Sequence, residues 1–257
     1  MIAPRLLAAA FALAGLAGPQ AGAAEGRRSD TAAMSEGLRA MQADDAANPG
    51  MLSVLDGEAL WAAKAGPEGR SCAGCHGDAA VSMKGVAARF PAWDPPASRP
   101  LDLAGRIAFC RTERQGAAPL VPESPDRLAL TAYVAHQSRG LPISPPQDAG
   151  MQEARARGRT LFTARMGQLD LACATCHDDL AGRRLAGSPI PQGHPVGYPI
   201  YRLEWQGTGS LQRRLRNCMT GVRAEPFAFD APELVDLEAY LMERAVGLAI
   251  ETPAIRP

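Results

Sequence analysis

The chain has 257 residues, and 27 arginines and lysines balance 27 aspartates and glutamates. Zero formal charge argues against a general nucleic-acid binder, whose footprint is basic. The length suits two small domains or one larger one.

Met1 to Arg5 form a short basic leader, Leu6 to Ala17 an apolar run, and Ala21-Gly22-Ala23 a small-residue cleavage site. This pattern predicts a secretory signal peptide over residues 1–24 and export to the periplasm. The run is too short to span a bilayer comfortably. No later stretch is long and apolar enough for a span, so none is expected in the mature chain. Residues 25–50 read as an N-terminal extension, in which Met34, Leu38 and Met41 predict one amphipathic helix.

Six cysteines in an exported chain would ordinarily suggest disulfides, but their spacing points elsewhere. "CAGCH" at 72–76 and "CATCH" at 173–177 are both Cys-x-x-Cys-His. Two such motifs behind a signal peptide predict two covalent haem c groups, held by Cys72 and Cys75 and by Cys173 and Cys176. His76 and His177 are then placed as axial ligands to iron. A zinc or thioredoxin-like site lacks its surrounding residues here.

The similarity extends outward from the motifs. "GEALWAAKAGPEGRSCAGCH" parallels "GRTLFTARMGQLDLACATCH", and "SPDRLALTAYVAHQSRGLPI" parallels "APELVDLEAYLMERAVGLAI". A lone cysteine, Cys110 or Cys218, follows each motif. This is the pattern of an internal duplication. Domains are expected at 51–145 and 146–257, with the proline-rich "GLPISPPQD" at 140–148 as linker. Each copy reads as mostly helical. A helix precedes each motif, around Leu60 and Trp61 or Leu161 and Phe162. A terminal helix opens at Ser124-Pro125 in one copy. In the other, Asp230 is expected as cap, with Glu233 completing a capping box. The expected fold is all-α, two tandem class I cytochrome c-like domains with an N-terminal extension.

For the second axial ligand, Met83, Met166, Met219 and Met242 are available, but none recurs at matching positions. Cysteine does. Leu103, Ile107 and Cys110 are spaced i, i+4, i+7, as are Leu211, Leu215 and Cys218, so each cysteine ends a helical stripe that should face the haem. Cys110 and Cys218 are therefore expected as distal thiolate ligands. The alternatives are a Cys110–Cys218 disulfide, buried free thiols, or ligation by His194 or His136. Thiolate ligation lowers the potential of iron.

"RLRNCMTGVR" at 214–223 surrounds Cys218 with Arg214, Arg216 and Arg223, and Arg213 lies just upstream. Arg214 is four residues before Cys218, on the same helical face, where its guanidinium can hold an anion against the sulfur. Arg106 holds the same offset from Cys110 and reads as a haem-propionate partner. For Arg214 a propionate is the alternative to an anionic substrate.

"RRLRNCMTGVRAEPF", followed by "YLMERAVGL" and supported by "GHPVGYPIYRLEWQGTGSLQ", resembles the SoxA family of dihaem cytochrome c subunits over nearly the whole mature chain. The resemblance implies an L-cysteine S-thiosulfotransferase formed with the monohaem cytochrome SoxX. Thiosulfate would be coupled oxidatively to a cysteine of the carrier SoxYZ, and the electrons would pass through haem to a cytochrome c acceptor. It implies that Cys218 can bear a persulfide and that Arg214 is the substrate-side arginine. Cys72, Cys75, His76 and Cys110 are all present, as in dihaem members of the family. The alternatives are a tetrathionate-forming dihaem thiosulfate dehydrogenase and a plain electron-transfer cytochrome.

Overall fold

A computed structural model describes residues 26–257. The expected signal peptide lies outside the described residues. No described helix is long and apolar enough to cross a membrane.

The extension forms a 3-10 turn, Asp30–Ala33, and helix α1, Glu36–Ala43, whose N-cap Ser35 accepts from the Leu38 amide. The helix is where the sequence places it, but its anchor differs. Met41 is exposed, and the buried residues are Met34 and Gln42. Gln42 Oε1 accepts from the Ile255 amide at 3.0 Å and from Arg256 Nη1 at 2.8 Å. A polar residue thus ties the extension to the last strand, β7, Ile255–Arg256.

Two helical units follow. The first contains α2 (Met51–Ala62), α3 (Cys72–His76), α4 (Ala79–Ser82), α5 (Leu103–Glu113) and α6 (Pro125–His136). The second contains α7 (Ala149–Thr163), a π-helical turn at Thr175–Asp179, α8 (Leu211–Gly221) and α9 (Pro232–Arg244). The expected Ser124 cap is present and accepts from the Arg127 amide. In each unit the first and last helices cross at a glycine. A Cβ built on Gly57 would lie 2.1 Å from the Ala129 carbonyl oxygen, and one on Gly158 would lie 1.9 Å from that of Asp236. Aromatic and aliphatic side chains pack around each crossing. Trp61, Leu103 and Val134 form one core; Phe162, Met219, Leu234, Leu237 and Leu241 form the other.

The all-α expectation needs amendment. Short strands occur: β1 (Ala92–Asp94) pairs with β2 (Arg99–Leu101), β3 (Arg184–Leu185) with β4 (Ser188–Pro189), and β5 (Ile200–Arg202) with both β6 (Gly207–Gly209) and β7. Such strands are too short for alternation to announce them. Hairpins β1–β2 and β5–β6 each run directly into the helix that carries the lone cysteine, with Asp102 and Ser210 as the N-caps.

The units meet across Ala88, Ile143, Val196, Met242, Ala245 and Ile250, all buried. The 140–148 segment is built into this seam. Ile143 donates to Leu248 at 2.9 Å, Ile250 to Leu141 at 2.9 Å, and Ser144 to Ala88 at 2.9 Å. Asp230 is not the cap of α9; the N-cap is Ala231, with no side-chain bond. Its carboxylate instead accepts from Arg127 Nη1 at 2.7 Å across the seam. The Arg127 side chain is only 5 % exposed, that of Asp230 40 %. Asp230→Ala would strand a buried charge and is expected to cost about 2–3 kcal/mol, the lower range for breaking a buried pair because Asp230 is partly solvated. Denaturant midpoints would measure the loss.

Candidate functional site

In the second unit, α7 delivers Phe162 against His177, with ring centroids 6.5 Å apart. The His177 Nδ1–H donates to the Pro191 carbonyl at 2.8 Å, which fixes the tautomer and leaves Nε2 free to point inward. Its partner there is the Cys218 thiol, from the middle of α8. Gly193, at φ +73°, permits this approach, since a Cβ there would lie 3.2 Å from the His177 ring.

The electrostatics of the pair are reciprocal. Burial pushes the Cys218 thiol up, but the His177 hydrogen bond and the charges of Arg214 and Arg202 outweigh it, and the net shift is downward. Burial pushes His177 down, but the bonds to Cys218 and to Pro191 raise it overall. Cys173, also buried and beside Cys218 without such donors, is pushed up to about 11. A thiolate-prone cysteine facing an oriented imidazole, beside the Cys173 and Cys176 of the same motif, has the chemistry to hold a haem c group. No disulfide joins any two of the six cysteines.

The first unit places the same residue types similarly. Trp61 lies 5.7 Å from the His76 ring, and its Nε1 donates to the Gly77 carbonyl at 3.1 Å. Cys110 is near enough to Cys72 to raise its pKa further, beyond the larger effect of burial. His76 is exposed, whereas His177 is half-buried. The donor chemistry again fits haem c.

The other two histidines are also bonded through Nδ1. His194 Nδ1 bonds to the Arg28 carbonyl at 2.9 Å, and His136 Nδ1 to that of Thr252 at 3.3 Å. Met219 and Met242 are buried, one in the second core and one in the seam.

The arginine cluster is sorted by its aromatic neighbours. Arg213 stacks on Trp205, 4.2 Å from the centroid. Arg216 stacks on Phe229 at 4.4 Å, and its Nη1 donates to the Phe227 carbonyl. Arg223 is exposed beyond the end of α8. Of the four arginines singled out in the sequence, Arg214 is the one whose charge acts on Cys218. It forms no ion pair among the described residues. A guanidinium stacked on a ring is held where the ring is, which fixes the positions of Arg213 and Arg216.

Sequence reasoning missed Arg202, on β5. Its side chain is 14 % exposed, its Nη2 pairs with Glu204 at 2.8 Å, and its Nε donates to the Pro257 carbonyl at 2.8 Å. Its guanidinium lies 5.0 Å from the Trp205 centroid. In the first unit, Arg106 pairs with Asp94 at 2.5 Å. The available signal was a change of charge: Asp94, Arg106 and Cys110 each stand 108 residues before Arg202, Arg214 and Cys218.

Helical units that present Cys-x-x-Cys-His opposite a cysteine define c-type cytochrome domains. The family model described as "SoxA/TsdA, cytochrome c domain" matches residues 56–143 and 157–250. A SoxA subunit of L-cysteine S-thiosulfotransferase from Pseudaminobacter salicylatoxidans is 43 % identical over 220 residues, covering 85 % of this chain and 77 % of that one. Its counterpart from Rhodovulum sulfidophilum is 36 % identical over 86 % of this chain and 77 % of that one. The crystal structure of SoxXA from P. pantotrophus superposes with a TM-score of 0.85 at 30 % identity, over 89 % of this chain and 86 % of that one. The chain belongs to the SoxA/TsdA cytochrome c family.

Proposed function

We propose that this protein is the SoxA subunit of a periplasmic L-cysteine S-thiosulfotransferase. The observation that carries the reading is the Cys218 thiol, turned toward His177 and one helical turn from Arg214, whose charge favours its thiolate. The reading includes two duplicated cytochrome c domains, 51–145 and 146–257, and two covalent haem c groups. His76 with Cys110, and His177 with Cys218, are the axial ligands. The monohaem cytochrome SoxX is the partner subunit, and SoxYZ carries the acceptor cysteine. The relatives' names support the activity, and the SoxXA neighbour supports the partner subunit.

The reaction joins thiosulfate to a carrier thiolate through a new sulfur–sulfur bond. Reactant charges of −2 and −1 become a monoanionic thiosulfonate adduct and two electrons. Haem c, when bound, supplies the electron acceptor, from which a cytochrome c takes the charge. The chain's own part is placement and field. Arg214 attracts the dianion and holds it at the sulfur. Cys218, favoured as thiolate by His177 and Arg214, offers a sulfur at the point of bond formation. The Pro191 carbonyl orients the His177 ring through Nδ1, and Gly193 leaves room for it.

Arg214→Ala is expected to raise KM for thiosulfate about 10-fold or more, the worth of a charge-assisted contact. Arg216→Ala, removing a stacked guanidinium, is expected to leave it within about twofold. Intact mass spectrometry of the exported protein tests the assignment as a whole. Two haems, with additional single-sulfur masses at Cys218, are expected; a haem-free chain with a Cys110–Cys218 bond would refute it. Turnover with thiosulfate alone, yielding tetrathionate, would instead indicate a thiosulfate dehydrogenase.

A further inference from the structure

Hairpins β1–β2 and β5–β6 have the same register and the same distance to the helix that follows. At the last position of the first strand they carry opposite charges, Asp94 and Arg202. In the first unit the result is closed. Asp94 Oδ2 takes Arg106 Nη1 at 2.5 Å, and Asp94 is buried. The guanidinium one turn before Cys110 is thus already neutralised. In the second unit the hairpin position that carries Asp94 in the first carries Arg202 instead, so Arg214 has a cation and not a carboxylate at the matching place.

Arg202 is held firmly. Glu204 takes Nη2, the Pro257 carbonyl takes Nε, and Nη1 has no partner among the described residues. Trp205 interacts with both Arg202 and Arg213, the neighbour of Arg214 in α8, which ties the hairpin to the helix. Burial, and then the charge of Arg214, push the Arg202 pKa below the ordinary arginine value, against the opposing charge of Glu204. Two guanidinium groups near each other in a partly buried opening repel unless an anion lies between them.

Resting on the SoxA reading above, we propose that Arg202 and Arg214 together form the thiosulfate-holding site. Asp94 at the equivalent position excludes an anion from the first unit. Arg202 is thus a second substrate-binding residue, and the aspartate-to-arginine difference sets which of the two centres accepts thiosulfate.

The test uses the haem-loaded complex with its carrier and cytochrome acceptor. Arg202→Asp recreates the Asp94–Arg106 pairing. It is expected to raise KM for thiosulfate about 10-fold or more, with kcat within about threefold, and to weaken calorimetric binding of thiosulfate to the oxidised complex in parallel. Arg202→Lys is expected to recover part of the loss, and Glu204→Gln, which removes a competing carboxylate, to lower KM. Haem absorption spectra should match wild type throughout. An Arg202→Asp variant with unchanged KM, beside an Arg214→Ala variant with raised KM, overturns this inference and leaves the SoxA reading standing. If neither variant changes KM, the reading itself fails. A rise in KM on Glu204→Gln, or an Arg202→Asp loss confined to kcat, would show that Arg202 supports the fold and not the substrate.

Discussion

Cys218→Ala is expected to lower the rate of thiosulfate coupling to the carrier cysteine by at least about 10³-fold, the scale seen when a reacting nucleophile is deleted. The substitution removes the hydrogen-bond partner of His177 and the sulfur beside Arg214 at once. It leaves Cys173 and Cys176, the proposed haem attachments, in place, so haem content should hold. The potential of the second centre is expected to rise, since charge donation by thiolate is lost. Cys110→Ala supplies the contrast. The arginine beside Cys110 is already paired with Asp94, so no free cation recruits thiosulfate there. Coupling is expected to fall by no more than about 10-fold, a loss on the scale of one charge-assisted contact. Stopped assays of carrier-bound thiosulfate, read against haem content, would compare the two. Persistent turnover by Cys218→Ala would show that the second unit only supports the partner cytochrome.

Gly158→Val is expected to produce the largest loss of stability of any single change considered. The position lies where α7 and α9 cross, and even one added carbon would sit 1.9 Å from the Asp236 carbonyl oxygen and 2.9 Å from Tyr240 Cβ. The first of these is backbone and cannot rotate away. The helices must separate, which opens the core of Phe162, Leu234 and Leu237. Overpacking ordinarily costs about 1–3 kcal/mol, and a backbone clash should reach at least the top of that range. For a chain of this size that corresponds to a fall of about 6–12 °C in midpoint. Calorimetry of the haem-loaded protein would measure it. Gly57→Val, facing the Ala129 carbonyl, should act in the same way on the first unit.

The parts of this molecule that were readable from sequence share one property: their chemistry depends on spacing. Cys-x-x-Cys-His fixes a histidine beside two thiols, and the stripe that ends at Cys218 follows from helical period alone. Ser124 before Pro125 announces α6 because a cap acts within three residues. What escaped depends on partners distant in the chain. Asp230 has the composition of a cap, but Arg127, 103 residues away, binds its carboxylate. Gln42 resembles a solvent-facing residue until the last strand arrives to use its amide. Arg213 and Arg216 read as free cations until Trp205 and Phe229 fold beneath them. Arg202 sits in a stretch with no periodicity, 16 residues before Cys218, and its proximity comes from a three-residue strand turning back into α8.

The proline-rich segment at 140–148 has a composition that suggests a tether, yet its backbone is hydrogen-bonded to 248–250 and to Ala88. A segment laced in this way cannot act as a hinge. The separation between the two Cys-x-x-Cys-His sites is therefore set when the protein folds and does not vary with each encounter. Electrons crossing from one half to the other would traverse a frozen gap, and their transit time should be insensitive to solvent viscosity.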